Sequence, residues 1–381
     1  MRALFIGSYP NPAAPHLSVF FQNLVHQMAE EGVECTVITP VSVTKYKTDI
    51  RIIPKHECEM LDSGKRVEVY RPRYMSYSAK KIGSWNTMRL TQASFDAAAL
   101  AFVKKLDKKF DFVYGHFFLG GGLTAAKIGQ KLGIPAYIAY GECNFDSEVR
   151  SKYGDIKREE MKGVHGIIAV SSDNMQDLMK RDFAKDIPML LSLNAVNKEL
   201  FKKKDKMECR EKFGFTKEDF IVGFVGYFIE RKGHNRVLKA CEGLKDVKLA
   251  FAGKGNDKPA GENVVFCQSL NHSDIPDFLN AIDVFVLPTL HEGCCNAVVE
   301  AMACGKAIIS SDLPFNHDIL GDHNSILVDP VDENQIREAI IKLKDHKDER
   351  EKVAKNALKD SMQLSIENRA KNILSFIQQT K

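Results

Sequence analysis

Two glutamates eight residues apart, Glu292 and Glu300 in the run HEGCCNAVVEAMACG, carry the strongest chemical signal in this chain. Asn296 lies between them and is a good helix N-cap, so Ala297, Val298 and Val299 would present unpaired amides at the positive end of a helix dipole, which suits a phosphate. Glu300 would fall about one turn into that helix, where its oxygens accept hydrogen bonds from hydroxyl groups. A phosphate with polyols on both sides describes a sugar nucleotide. An isolated pair of glutamates at a helix start is as readily a solvated or capping pair, so the surrounding elements have to decide.

Those elements alternate. VFVLPTL (284–290) before the motif and AIISS (307–311) after it read as strands, giving strand, loop, helix, strand. Upstream, FIVGFVGYFIERKGHNRVLKA (220–240) is a strand, a turn holding Arg231-Lys232-Gly233, and a helix; VKLAFAGKG (247–255) and VVFCQSL (264–270) are further strands. Residues 274–288 give helix then strand, 325–343 strand and helix with an Asp332 cap, and 348–379 a charged helical tail. The first half repeats the alternation: strand 3–6, a Pro-rich loop, a helix from Ser18 to Gly32, and strand 35–40. Residues 43–90 look irregular apart from a strand at 67–72, and 94–107 reads as an amphipathic helix. Residues 110–142 are strand, loop, helix, strand, with His116 ending the first strand and Glu142 following the second. The carboxyl ends of such strands are where open α/β sheets bind ligands, which makes His116 a candidate site residue although a lone histidine is more often structural. Glu142 is a candidate for assisting deprotonation of an attacking hydroxyl. A strand and a helix capped by Ser172 follow, then strand 188–194 and an exposed lysine-rich helix over 202–214. No G-x-G-x-x-G follows the first strand, which disfavours a nicotinamide-binding domain.

Composition sets the outer bounds. A chain of 381 residues has material for two cores, and 44% hydrophobic with 27% charged residues is ordinary for a globular protein. No run is apolar for long enough to cross a bilayer, and the amino-terminal apolar stretch is too short for a signal peptide, so a cytoplasmic location is expected. Nine cysteines without a C-x-x-C pair fit reduced thiols. The net charge of +4 conceals 16 Lys/Arg against 8 Asp/Glu between residues 41 and 130, interleaved with Tyr70, Tyr74, Tyr77 and Trp85. A basic surface with exposed aromatics suits an anionic membrane leaflet, with a plain solvated face as the alternative; no motif supports nucleic-acid binding.

The string E-G-x-x-N-x-x-x-E-A-M-A-x-G resembles the E-x7-E signature of retaining glycosyltransferases of GT-B fold, family 4, of the bacterial envelope-polysaccharide type. The resemblance implies an α/β chain with two Rossmann-like doubly wound domains facing across a cleft. Residues 1–195 would form the acceptor side, 196–365 the nucleotide-sugar donor domain, and 366–381 a helix crossing back to the first domain. It places Glu292 on the donor sugar and Glu300 on the ribose. Lys232 would grip the diphosphate, assisted by Arg231 in place of the arginine for which Tyr227 stands, or else one cationic contact is absent. Gly226, Cys295, Asn296, Ala297 and Val298 join the donor contacts, and Leu270 lies by the base. His116 would sit near the sugar, with Glu292 and Lys232 completing the catalytic set, and Ser18 on the acceptor side with Glu142. No D-x-D occurs, so neither metal nor cofactor is expected. The implied activity is sugar transfer from a nucleotide-diphosphate sugar, UDP being commonest, to a glycan or polyprenyl-linked acceptor on the inner face of the membrane. A GT-B epimerase or phosphorylase, or a non-catalytic sugar-nucleotide binder, is the alternative.

Overall fold

The computed structural model describes residues 1–47, 49–77, 80–83 and 85–381. The chain divides into two compact units, Met1–Leu193 with Ile366–Lys381, and Asn194–Ser365.

The first unit runs β1 (Arg2–Ile6), α1 (Val19–Glu30), β2 (Glu34–Ile38), β3 (Val41–Ser42), β4 (His56–Met60), β5 (Arg66–Tyr70), β6 (Arg73–Tyr74), β7 (Lys81–Ile82), β8 (Trp85–Asn86) and α2 (Met88–Lys105). It continues with β9 (Phe112–His116), α3 (Leu123–Leu132), β10 (Ala136–Tyr140), a single turn α4 (Ser151–Tyr153), β11 (Val164–Ala169), α5 (Ser172–Met179) and β12 (Met189–Leu191). Its main sheet has the order β12-β11-β10-β9-β1-β2-β5-β4, parallel except for the β4 edge. The inner strands are apolar on both faces, with every residue of β9 and β10 buried, as a sheet covered on both sides requires. α1 buries Phe21, Leu24, Val25, Met28 and Ala29, an i, i+3, i+4, i+7, i+8 stripe.

The stretch read as irregular is more ordered than its sequence suggests. β4 pairs antiparallel with β5, and β3 with β6 extends the neighbouring strands past the sheet. α2 begins at Met88, six residues before Ser94, and α5 is capped by Ser171, whose hydroxyl accepts from the Asn174 amide 3.1 Å away, rather than by Ser172. The aromatics of the basic stretch are not a single exposed set either: Tyr70 and Tyr74 pack against the core formed with Phe95, Val103 and Phe110, and Trp85's side chain lies outside what is described. Arg71, counted in the surface charge, is fully buried.

The second unit comprises α6 (Lys206–Phe213), β13 (Ile221–Tyr227), α7 (His234–Ala240), β14 (Lys248–Lys254), β15 (Val264–Gln268), α8 (Ile275–Ala281), β16 (Val284–Leu287), α9 (Asn296–Ala303), β17 (Ala307–Ser311), β18 (Ile326–Val328), α10 (Glu333–Asp345) and α11 (Lys347–Ser361). Its parallel sheet has the order β15-β14-β13-β16-β17-β18. α6 is shorter than its lysine-rich run and not wholly exposed: it buries Arg210, paired with Asp283 at 2.7 Å. Asp332 caps α10 by accepting from the amides of Asn334 and Gln335.

The charged tail forms α11 and a separate last helix. α12 (Ile366–Gln379) belongs to the first unit, where the Tyr137 hydroxyl donates to the Ile377 carbonyl at 3.1 Å. Gly166 makes room for it, since a Cβ there would stand 2.5 Å from the Phe376 ring. Among the described residues no helix is long and apolar enough to cross a membrane.

Candidate functional site

Each sheet reverses its winding once: between β9 and β1 in the first unit, and between β13 and β16 in the second. The crevice at such a switch point, beyond the carboxyl ends of the strands, is where open α/β sheets receive ligands.

In the second unit the loops following β13 and β16 bring Arg231, Lys232 and Glu292 together across about sixty residues of sequence. One carboxylate oxygen of Glu292 lies 2.6 Å from Lys232 Nζ, accepts from Arg231 Nη1 at 2.6 Å, and accepts from the Thr289 hydroxyl at 2.9 Å. Burial pushes the Glu292 carboxyl up, but Lys232 and Arg231 outweigh it and hold it below the usual carboxylate range. Burial likewise pulls Lys232 down, while Cys295 and Glu292 keep it above the usual lysine value. The group is therefore a carboxylate between two cations.

The loops are pinned from several sides. Leu290 N donates to the Arg231 carbonyl, Arg236 Nη2 to the Pro288 carbonyl, and Asn194 Nδ2 to the Cys294 carbonyl at 2.7 Å. Gly233 turns the chain with φ 80°, and a Cβ there would meet the Pro288 oxygen at 2.6 Å, so the position demands glycine twice over. Gly226 lies beside Lys232, its Cβ position 3.8 Å from Lys232 Cδ. Tyr227, exposed, has Lys254 Nζ over its ring at 5.6 Å.

The helix carrying the second glutamate starts differently from the sequence reading. Cys295, not Asn296, is the N-cap of α9, and its carbonyl accepts from the amides of Val298 (3.1 Å) and Val299 (3.2 Å). Asn296 is the first helical residue because Cys295 already has the extended backbone of a cap (φ −77°, ψ 106°). The Val298 and Val299 amides are thus partly engaged, and the positive helix end rests more on Asn296 and Ala297. The Cys295 thiol is pushed up to about 11 by burial, with Lys232 and the neighbouring amides pulling the other way, so it is a neutral thiol at pH 7.

Glu300 is buried on α9 with Oε1 3.3 Å from His272 Nε2, and the His272 ring packs edge-on against Phe201 at 5.2 Å. His272 and Thr289 are the residues that sequence reasoning missed. Both are single polar residues, and the partners that tie them to the site include residues remote in sequence, Glu300 for His272 and the Arg231 carbonyl for Thr289. Leu270, half-buried, precedes His272 by two positions.

The remaining candidates lie in the first unit. His116 ends β9 at the switch point, 6% exposed, its ring stacked on Phe21 at 4.5 Å and edge-on to Phe117 at 4.5 Å. Neither ring nitrogen has a hydrogen-bond partner, and burial, with a smaller effect of the Arg369 charge, lowers the imidazole to about 3. It is neutral at physiological pH, a hydrogen-bonding group rather than an acid. The next residue, Phe117, has φ 64°, and Ser18, the N-cap of α1, has φ 53°, both left-handed at non-glycine residues. Ser18 makes no side-chain cap bond. Glu142 accepts from the Phe118 amide at 2.6 Å and the Gly141 amide at 3.3 Å, and burial pushes it up to about 7 against those bonds. Its carboxylate holds the loop after β9.

Residues 205–360 match the family described as Glycosyl transferases group 1, a segment that contains Arg231, Lys232, Glu292 and Glu300. The Bacillus subtilis (strain 168) protein named "Putative teichuronic acid biosynthesis glycosyltransferase TuaC" is 26% identical over 356 residues, covering 89% of this chain and 88% of its own. Among solved structures, sucrose-phosphate synthase from Thermosynechococcus elongatus superposes with a TM-score of 0.77 at 17% identity, over 100% of this chain and 98% of that one. Anabaena Alr3699/HepE, solved with UDP and glucose, gives 0.70 at 15% identity over 99% of each. The chain therefore has the GT-B fold, and within its second unit residues 205–360 are similar to the Glycosyl transferases group 1 family.

Proposed function

We propose that the protein is a retaining glycosyltransferase that moves a sugar from a nucleotide-diphosphate sugar, a UDP-sugar, to a glycan or lipid-linked glycan in cell-envelope polysaccharide synthesis. The observation that carries this reading is the half-buried Lys232–Glu292–Arg231 cluster at the second unit's switch point, inside the family-matched segment. TuaC's name and the UDP and glucose in the Anabaena structure favour the same donor and product classes.

The chemistry follows from charge. A diphosphate entering the switch point offers Lys232 and Arg231 stronger anionic partners than one shared carboxylate, and draws them off Glu292. Glu292 is then released to accept hydrogen bonds from the sugar hydroxyls, while Glu300, steadied by His272, takes the ribose. As the bond from the anomeric carbon to the diphosphate oxygen breaks, the two cations stabilise the departing charge without a metal. The acceptor hydroxyl attacks from the face the leaving group vacates, and its proton passes to a leaving-group phosphate oxygen. On the first unit, neutral His116 at its own switch point is the candidate hydrogen-bonding group, and Ser18 and Glu142 are the candidates for holding the acceptor. The acceptor would be met at the inner face of the cell membrane. Incubation with UDP-sugars and oligosaccharide or polyprenyl acceptors tests the reading: Lys232→Met should lower transfer by roughly 10²- to 10³-fold. A near-wild-type rate would remove Lys232 from the mechanism. Epimerised donor, or phosphate-dependent cleavage without transfer, would favour the alternative enzymes, and no turnover a binding protein.

A further inference from the structure

We propose that Arg71 and Arg73 form an oxyanion subsite on the first unit, seating a phosphate or carboxylate group of the acceptor beyond the carboxyl end of β5. Arg71 directly follows that strand and is 1% exposed. Its Nη2 donates to the Pro10 carbonyl at 3.0 Å and pairs with Glu57 Oε2 at 2.8 Å, but its Nε and Nη1 have no partner. Arg73, two residues on, donates through Nη2 to the carbonyls of Ile50 (3.2 Å) and Ile53, and its buried Nη1 is likewise unpartnered. Among the described residues Arg73 pairs with no carboxylate. Burial and the neighbouring Arg71 charge both lower Arg73's pKa, so the two guanidinium groups feel one another.

Two cations two residues apart, with three buried guanidinium nitrogens that have no partner, leave donor capacity that one anion would satisfy. Glu59, the next acid on that face of β4, does not supply it, because its carboxylate is taken by Tyr9 at 2.8 Å, Gln22 at 2.7 Å and His26 at 2.8 Å. Glu57 already pairs with Arg71. Its side chain is 43% exposed on an edge strand, so it can swing out, and its carboxylate stands in for the one a ligand would bring. Pro10 belongs to the loop after β1, which ties the site to the switch-point rim.

The naming of the acceptor rests on the transferase reading; the anion site itself does not. Binding of inorganic phosphate and of methyl glucuronide is measured by calorimetry on the full chain in a Lys232→Met background, so that the candidate donor site does not contribute. Each anion that binds should bind roughly fivefold tighter or more after Glu57→Gln, which frees Arg71, and roughly tenfold weaker after Arg73→Gln. Arg73→Lys, which keeps the charge, guards against a folding defect and should retain part of the affinity. A response to phosphate alone identifies a phosphorylated acceptor, to the glucuronide alone an acidic sugar. No anion binding to the Glu57→Gln protein, or weaker binding there than with Glu57 present, overturns the subsite and leaves the donor assignment standing.

Discussion

Replacing Glu292 by glutamine should destabilise the free protein while leaving nucleoside-diphosphate binding intact or stronger. The carboxylate sits 2.6 Å from each of two cations, Lys232 with 12% and Arg231 with 35% of its side chain exposed. Breaking a buried pair while leaving the charge behind costs roughly 3 to 5 kcal/mol, whereas an exposed pair is worth about 0 to 1. Lys232 belongs near the first class and Arg231 near the second. The glutamine oxygen still accepts one hydrogen bond, so a net loss of roughly 2 kcal/mol is expected. For a unit the size of Asn194–Ser365 this lowers the melting midpoint by about 4 to 8 °C. A diphosphate returns the missing anion, so UDP should raise the mutant's midpoint more than the wild type's, while transfer falls at least ~100-fold. Differential scanning fluorimetry with and without UDP reads both effects. A mutant that melts with the wild type and binds UDP less well would refute the idea that Glu292 holds the cations in the ligand's absence.

Glu142 gives a pH signature. Its carboxyl is raised by burial to about 7, so the native state binds a proton that the unfolded chain has released, and stability should fall as pH rises from about 4.5 to 7, by roughly 1 to 3 kcal/mol. Urea titrations at several pH values should show this slope in the wild type and its loss in Glu142→Gln. Gly233→Ala should cost at least about 2 kcal/mol, since it combines a left-handed backbone with a Cβ 2.6 Å from the Pro288 oxygen, and should weaken UDP binding by displacing Lys232. Chemical denaturation and calorimetry on the same variant check both.

The inner strands and the α9 segment were legible because buried parallel strands are apolar throughout and because the two glutamates frame a helix start. β4 was not: HECEM is almost wholly exposed on an antiparallel edge, and although Glu57 to Met60 alternate, the run is short and has no β-branched or aromatic residue to mark a strand. The cap of α9 lies one residue before the asparagine that propensity favours, because the backbone bends at Cys295, which carries no capping side-chain bond. The linkage of Glu292 to Lys232, and of Glu300 to His272, depends on which strand ends the sheet order brings together, and no local pattern encodes that. The basic stretch misled for a related reason: a guanidinium such as Arg71 can be buried when carbonyls and a carboxylate meet it, which charge counting does not reveal.

The proposed function requires that the second unit bind a nucleotide-diphosphate sugar with Glu300 on its ribose. Isothermal titration of UDP and its sugar conjugates into the wild type and Glu300→Ala, without added metal, tests it most directly. Saturable binding to the wild type is expected, weakened roughly tenfold or more in Glu300→Ala with the fold intact. Equal affinity of the two proteins, or no binding at millimolar nucleotide, would contradict it.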